Sequence, residues 1–310
     1  MSDPLSDILD LLGVQSSVYF QKDFCAPWGM RVENTGFAQF HIIVRGIATV
    51  SYEDKLHHLS TGDVILFPKG AAHTICDATE SSVKSGQEVL LAHERGEELF
   101  ASSGRATRMI CGHFDYDFGY KHPLIQELPD IIVIRAERLP DTYNLMGLLN
   151  ILIAESIQPR PGSNVLIRKL SDALLVSIFR AYFELNKDQL GFHNGLRDAR
   201  IARAVSYIHQ QDWSDLGLER LASLAGMSRS ALAHSFKKML GYSPGEYATR
   251  WRLLKAAAIL RDSDTRIETL AMDSDYTSST AFSRAFKAMF DLTPSQYRNA
   301  FQKTVENQRN

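Results

Sequence analysis

The chain has 310 residues, 45% hydrophobic and 23% charged, enough apolar material for the packed cores of one large domain or two ordinary ones. That composition excludes a disordered or disulfide-scaffold protein. No apolar run approaches the roughly 18 residues that span a bilayer, and Met1-Ser-Asp-Pro-Leu lacks the basic and apolar regions of a signal peptide. The net charge of −2 hides a division: residues 1–192 hold 17 Lys and Arg against 24 Asp and Glu, and residues 193–310 hold 17 against 12. An acidic front and a basic back predict two parts with different partners, the second polyanionic. Cys25, Cys76 and Cys111 are odd in number and far apart, which argues against a disulfide framework and for a reducing cytoplasm.

Residues 1–12 read as a short amphipathic helix. From Val14 to about Asp117 short apolar or alternating runs follow one another, as in Gln39-Phe-His-Ile-Ile-Val and Asp63-Val-Ile-Leu-Phe, punctuated by Gly46, Gly62, Pro68, Gly70 and Gly104. Many short strands with Gly and Pro turns predict a sandwich or barrel. Residues 79–107 read as a long loop with a strand at Glu88-Val-Leu-Leu-Ala. After Leu139 the period becomes helical, over 142–157 and 164–186, with Pro159-Arg-Pro-Gly162 breaking the pair into a hairpin. Its apolar positions Leu145, Leu148, Leu149, Leu152, Leu174, Ile178 and Phe179 need cover, from the barrel or from a second subunit. Residues 187–196, with Gly191 and Gly195, are the best linker candidate. Helical segments are expected at 198–211, 218–225, 229–240, 245–261, 267–273, 279–290 and 294–301.

The basic part repeats itself. Leu221, Ala222, Gly226, Ser228, Leu232, Phe236, Lys237, Gly241, Pro244 and Tyr247 recur as Leu270, Ala271, Asp275, Thr277, Phe282, Phe286, Lys287, Asp291, Pro294 and Tyr297. The offset is 49 early and 50 later, so one residue is inserted near the second turn. Each copy has the chemistry of a helix-turn-helix. A small residue (Ala222, Ala271) allows close crossing, and a turn residue tolerates positive φ (Gly226, Asp275). A hydroxyl cap follows (Ser228, Thr277), and then a helix with one apolar face. Its other face is short, polar or basic, suited to base edges and phosphates in a major groove. The competing reading, a helical protein-interaction bundle, explains the helices but not the matched turns and caps.

The second copy, from Ile267-Glu-Thr-Leu-Ala271 through Asp275 and Phe282-Ser-Arg284-Ala-Phe286-Lys287 to Thr293-Pro294-Ser-Gln-Tyr297, resembles the carboxy-terminal signature of AraC/XylS-type transcription regulators. The chain departs from that pattern at Asp275 and Asp291, where the family commonly has Gly. In the front half, Gly62-Asp-Val-Ile-Leu-Phe-Pro68-Lys-Gly70-Ala-Ala-His73 resembles the second cupin motif, and His41 stands where the first begins. The whole chain is similar to the AraC subgroup with an amino-terminal cupin sensor. The resemblance implies an α+β multidomain protein: a cupin-like β-barrel with a helical hairpin, then an all-α domain with two helix-turn-helix motifs. The boundaries are 1–135 for the sensor, 136–190 for a dimerising hairpin and 191–310 for the DNA-binding domain.

By that resemblance the partners are a double-stranded DNA operator, a small-molecule effector, a second copy of the chain and, for an activator, RNA polymerase. No membrane is involved and no enzymatic activity is expected. DNA contacts are expected from Arg229, Ser230, Ala233, His234 and Lys237 in the first recognition helix. In the second they are expected from Ser279, Thr280, Ser283, Arg284 and Lys287. Metal-binding cupins use His-x-His, but Ile42-Ile43 follow His41 and Glu53 lies too far along, so neither metal nor other cofactor is expected. The barrel mouth is then a ligand pocket near Trp28, His41, His73 and Cys111, with hydrogen-bonded packing as the plainer use of the same residues. Cys111 lies in an apolar strand, which predicts an inert thiol rather than a redox sensor.

Overall fold

A computed structural model of the chain describes residues 3–79, 81–100, 103–116, 121–138, 145–188, 191–210 and 217–300. The chain divides into two compact units. One is Val14–Tyr116 with Leu128–Asn186, and the other is Met1–Gly13 with Asp117–Glu127 and Lys187–Asn310. By their contacts, residues 1–13 and 117–127 group with residues 187–310.

In chain order the elements open with α1 (Pro4–Leu12), β1 (Gln15–Cys25), β2 (Gly29–Val32), β3 (Ala38–Arg45), β4 (Ile47–Tyr52) and β5 (Lys55–Ser60). They continue with β6 (Val64–Phe67), β7 (His73–Cys76), β8 (Lys84–Ser85), α2 (Gly86–Glu94), β9 (Ala106–Asp115), α3 (Pro123–Glu127) and β10 (Ile132–Ile134). The helices α4 (Leu145–Ile157) and α5 (Ser163–Leu185) complete the first half.

The strands form two five-stranded sheets, ordered β1-β9-β3-β6-β10 and β5-β4-β7-β2-β8. Phe20, Ile43 and Met109 from the first sheet and Met30, Val50 and Ile75 from the second meet in one buried core. Where a strand was expected at Glu88-Val-Leu-Leu-Ala, the chain forms α2, with Val89 and Ala92 turned inward. A five-residue apolar run fits either period, and the helix-favouring Gln87, Glu88, Leu90, Leu91 and Ala92 decide it.

The helical hairpin packs on its own unit, α5 lying against β1 and β10. Leu145, Leu149, Leu152, Leu174, Ile178 and Phe179 are all at most 1% exposed. Of the two covers expected for the seven residues, the barrel or a second subunit, six are therefore covered within the chain itself. The apolar residues left outside are others: Met146, Ile151 and Ile157 on α4, and Val165, Leu166 and Leu185 on α5.

The second unit is helical: α6 (Phe192–Gly195), α7 (Ala199–Gln210), α8 (Leu218–Ala225), α9 (Arg229–Leu240), α10 (Pro244–Asp262), α11 (Ile267–Asp273) and α12 (Ser279–Phe290), with a last helical stretch at 294–300. The expected helix ends at residues 211 and 301, and the expected start at 142–144, lie outside the described residues. Helix α1 packs on α7 and α10 and buries Ile8 and Leu12 completely. The Asp7 carboxylate accepts a hydrogen bond from His209 Nδ1 (3.1 Å), and Tyr247 OH donates to His209 Nε2 (2.8 Å). The His209 ring stacks on Trp251 at 3.6 Å. Burial in this aromatic setting, reinforced by Lys255, pushes the His209 pKa down to about 3, so the ring is neutral.

The expected linker is in part a packed element. Phe192 is fully buried, and its N–H donates to the carboxylate of Glu127, the last residue of α3. Gly195 is there for closeness rather than flexibility: a Cβ would lie 2.5 Å from Leu240 and 3.0 Å from Met239.

Candidate functional site

Two surfaces concentrate functional chemistry: the paired helices α8–α9 and α11–α12, and a cavity in the barrel. In the first helix pair α8 stops at Gly226, whose φ of +65° puts it in the left-handed region. The Met227 N–H donates to Ala222 O (2.9 Å) and the Gly226 N–H to Ser223 O (3.0 Å), closing the helix end in a Schellman motif. The second pair does the same through Asp275, at φ +60°, with Tyr276 donating to Ala271 O (2.9 Å) and Asp275 to Met272 O (3.0 Å).

Helices α9 and α12 begin on hydroxyl caps. Ser228 Oγ accepts from the Ala231 N–H and Ser278 Oγ from the Ala281 N–H, each at 3.2 Å. The second cap is Ser278 and not the expected Thr277. Thr277 is the inserted residue, and once it is looped out the offset of 50 holds along the rest of the copy.

On α9 the residues Leu232, Phe236 and Leu240 are buried, and on α12 Phe282, Phe286 and Phe290 take the same positions. Away from that face lie the side chains singled out from the sequence. Arg229, Ser230, His234 and Lys237 are exposed and Ala233 is half-buried; Thr280, Arg284 and Lys287 are exposed and Ser279 and Ser283 half-buried. Arg229 is ion-paired with Glu219. The two helices thus present two short rows of hydroxyls, one imidazole and four cations.

The barrel cavity has a volume of about 270 Å³. Strand register explains its walls. On β3 the alternation of side chains sends Gln39 and His41 to the cavity while Phe40 stacks on Phe114 on the other side. On β1 a bulge breaks the ladder between Val18, opposite Gly112, and Phe20, opposite Cys111. The unpaired residue lets the neighbours Tyr19 and Phe20 both line the space, which alternation alone forbids. Met30 and Val32 of β2 and Leu90 of α2 add apolar wall.

Of the four ligand candidates, His41 and Cys111 line the cavity. His73 lies behind His41, and Trp28 is a fully buried core residue packed on Phe24 at 5.3 Å. Tyr19, Gln39 and Leu90 had not been singled out. Gln39 was accessible from its two-residue spacing to His41, whereas a bulge leaves no mark in composition.

His41 and Cys111 are cross-strand neighbours in the β3–β9 pairing. The cysteine Sγ lies 2.9 Å from His41 Nδ1, His41 Nε2 lies 2.7 Å from His73 Nε2, and His73 Nδ1 lies 2.8 Å from Ala71 O. One end of this chain fixes every proton in it. A carbonyl only accepts, so His73 carries its hydrogen on Nδ1 and accepts at Nε2. His41 then donates from Nε2 and accepts at Nδ1, and the Cys111 thiol is the donor there. Burial, and in the case of His41 also the neighbouring His73, holds both imidazoles neutral, His73 with a pKa of about 4. Burial pushes the Cys111 thiol up, far from the reactive thiolate range. The facing imidazole nitrogens are occupied with each other. Among the described residues no group of three or more His, Cys, Asp or Glu side chains is placed to hold a metal ion.

Comparison with known proteins agrees with both halves. A cupin family model matches residues 3–184, and a helix-turn-helix domain model matches residues 221–300. An HTH-type transcriptional regulator of Haemophilus influenzae is 29% identical over 308 residues, covering 96% of this chain and 99% of its own. A Streptomyces antibioticus protein described as an AraC-like transcription regulator is 28% identical over 299 residues, 96% and 98% of the two chains. Among solved structures, ToxT from Vibrio cholerae bound to an unsaturated fatty acid covers 92% of this chain and 95% of its own, at 12% identity and a TM-score of 0.37. A cupin barrel followed by a helix-turn-helix domain defines a class of regulators. The chain belongs to the AraC/XylS family of transcriptional regulators, in the subgroup with an amino-terminal cupin domain.

Proposed function

We propose that this regulator is a sequence-specific, ligand-responsive DNA-binding protein without enzymatic activity, in which α9 and α12 enter adjacent major grooves of one operator and the barrel cavity holds a small-molecule effector. The observation that carries the DNA half is the recurrence, 50 residues apart, of one burial pattern with its polar face left open in both copies. The 19 residues of α10, at 1.5 Å each about 28 Å long, are of the scale of one DNA turn. The proposed contacts are Arg229, Ser230, Ala233, His234 and Lys237 from α9 and Ser279, Thr280, Ser283, Arg284 and Lys287 from α12. The effector site is the cavity lined by His41 and Cys111, with His73 holding His41 in place.

Selection of genomic fragments on the purified chain, followed by footprinting, is the decisive experiment. A site with two protected elements about one turn apart is expected, and binding without sequence preference would sink the reading. For the effector half, the compound that answers in a regulated reporter should raise the melting temperature by mass action.

The regulator acts as a homodimer in the cytoplasm, contacting RNA polymerase at the promoters it activates. The exposed faces of the hairpin, with Met146, Ile151 and Ile157 on α4 and Val165, Leu166 and Leu185 on α5, are apolar surface left for a second copy. No helix among the described residues is long and apolar enough to cross a membrane. Sedimentation of the chain and of an Ile151→Glu variant tests the dimer: the parent should be dimeric at micromolar concentration and the variant should dissociate.

A further inference from the structure

The chemistry of the barrel cavity restricts what it can hold. We infer that, in the sensor role proposed above, the cavity takes an uncharged, mainly apolar molecule of metabolite size that carries a hydroxyl or N–H donor, and that it rejects carboxylates and ammonium ions.

Size comes first. A volume of about 270 Å³ is nearly twice the roughly 150 Å³ of apolar cavity that takes up benzene, and below the usual range for drug-sized ligands. Charge comes next. Among the described residues that line the cavity, Arg31 and Glu33 are the only Lys, Arg, Asp or Glu, and they neutralise each other at 2.9 Å with their side chains 62% and 66% exposed. His41 presents no free ring nitrogen, since Nδ1 accepts from the Cys111 thiol and Nε2 donates to His73. An ionic ligand would lose its hydration here without gaining a counter-charge.

What polar capacity remains is directional. Gln39 is 2% exposed, and its amide nitrogen donates to Thr35 Oγ1 at 2.7 Å and reaches Glu33 O at 3.5 Å. Because the Glu33 carbonyl only accepts, the nitrogen is assigned on that side. Gln39 Oε1 is left as an acceptor with no protein partner among the described residues. The Tyr19 hydroxyl likewise has none there, and burial raises its pKa to about 12, so it is a neutral phenol that both donates and accepts. A ligand hydroxyl or N–H satisfies Gln39, and Phe20, Met30, Val32 and Leu90 take the apolar remainder.

Four probes share one skeleton: 2-phenylethanol, ethylbenzene, phenylacetate and 2-phenylethylammonium. Their affinities for the full chain at neutral pH are to be read by titration with ligand-detected NMR. The alcohol should bind about tenfold or more tighter than either ion and tighter than ethylbenzene, and Gln39→Leu should remove its advantage over ethylbenzene. Glu33→Gln, which frees the Arg31 guanidinium, should improve phenylacetate several-fold while leaving the alcohol unchanged. Leu90→Trp fills the cavity and should abolish binding. Gln87→Trp, on the exposed rim, blocks the same space without touching the core should the first variant unfold. An ion that binds the parent chain as tightly as the alcohol overturns the ligand class and leaves the sensor role standing. Binding that survives both tryptophan variants, or no binding by any probe, removes the cavity as a ligand site and both conclusions with it.

Discussion

The two helix-turn-helix copies are built alike and equipped differently. Both close the first helix with the same pair of backbone hydrogen bonds, and both start the second on a serine hydroxyl. The likeness extends to their supports. Arg203 of α7 donates to Leu224 O and Ala225 O at the end of α8, and Arg252 of α10, 49 residues on, donates to Ser274 O at the end of α11. What differs is the outward row. Where α9 has Ala233, His234 and Lys238, α12 has Ser283, Arg284 and Ala288. Arg229 of the first copy is held by Glu219, whereas Arg284 has no side-chain partner among the described residues. A frame fixed by turns and core leaves the outward face free to change, and under the proposed function the second copy carries the chemistry that discriminates bases best, a central arginine with no side-chain partner among the described residues.

The comparison can be broken at its core. Phe236 and Phe286 are both fully buried, so Phe236→Ala and Phe286→Ala should each cost about 3–5 kcal/mol in urea unfolding. A loss of under about 1 kcal/mol in one of them would show that the frames are not equivalent. The reading faces come next. Arg284→Ala should cost about 1–3 kcal/mol of operator discrimination in competition gel shifts, and His234→Ala clearly less. Equal losses would erase the asymmetry between the copies. Lys237→Ala and Lys287→Ala should weaken all sequences alike and each lower the salt slope of binding by about 1.

The smallest effect is at the turns. Gly226→Asp copies the second turn into the first, where a Cβ meets nothing within 4 Å, so it should cost only the left-handed backbone penalty of about 1 kcal/mol. The reverse change, Asp275→Gly, should gain less than that, because it also removes the 3.1 Å contact with Arg252.

The carboxy-terminal half was legible because its signals are local. The period of Leu232, Phe236 and Leu240 and the serine before Arg229 place α9 at Arg229–Leu240 without reference to anything distant. The second cap slipped by one residue because Thr277 and Ser278 are equally good caps by type, and only the geometry of the turn chooses between them. The barrel was legible as a fold but hardly as a site. His41 meets Cys111 across 70 residues through strand register, and Tyr19 joins Phe20 in the cavity wall through a bulge. Trp28, placed by the sequence near the ligand, faces the core, since aromatic bulk is wanted in either place. Phe192 and Gly195 were hidden in a polar, glycine-bearing stretch that looks like a linker. Gly195 vacates space for Leu240 and Met239, more than 40 residues away, and Phe192 fills space beside the distant His122 and Tyr247.

The helical unit is assembled from three separate stretches, 1–13, 117–127 and 187–310, so the chain passes between its two units four times. Recombination at the gene level that joined a new reader to this barrel at a single point near residue 190 would leave behind Ile8 and Leu12, which are fully buried, and the Asp7 contact with His209. The transplanted helices α7 and α10 would be stripped of an apolar face. A working exchange of reader domains needs four coordinated joints, which binds the two halves of this protein to a shared inheritance.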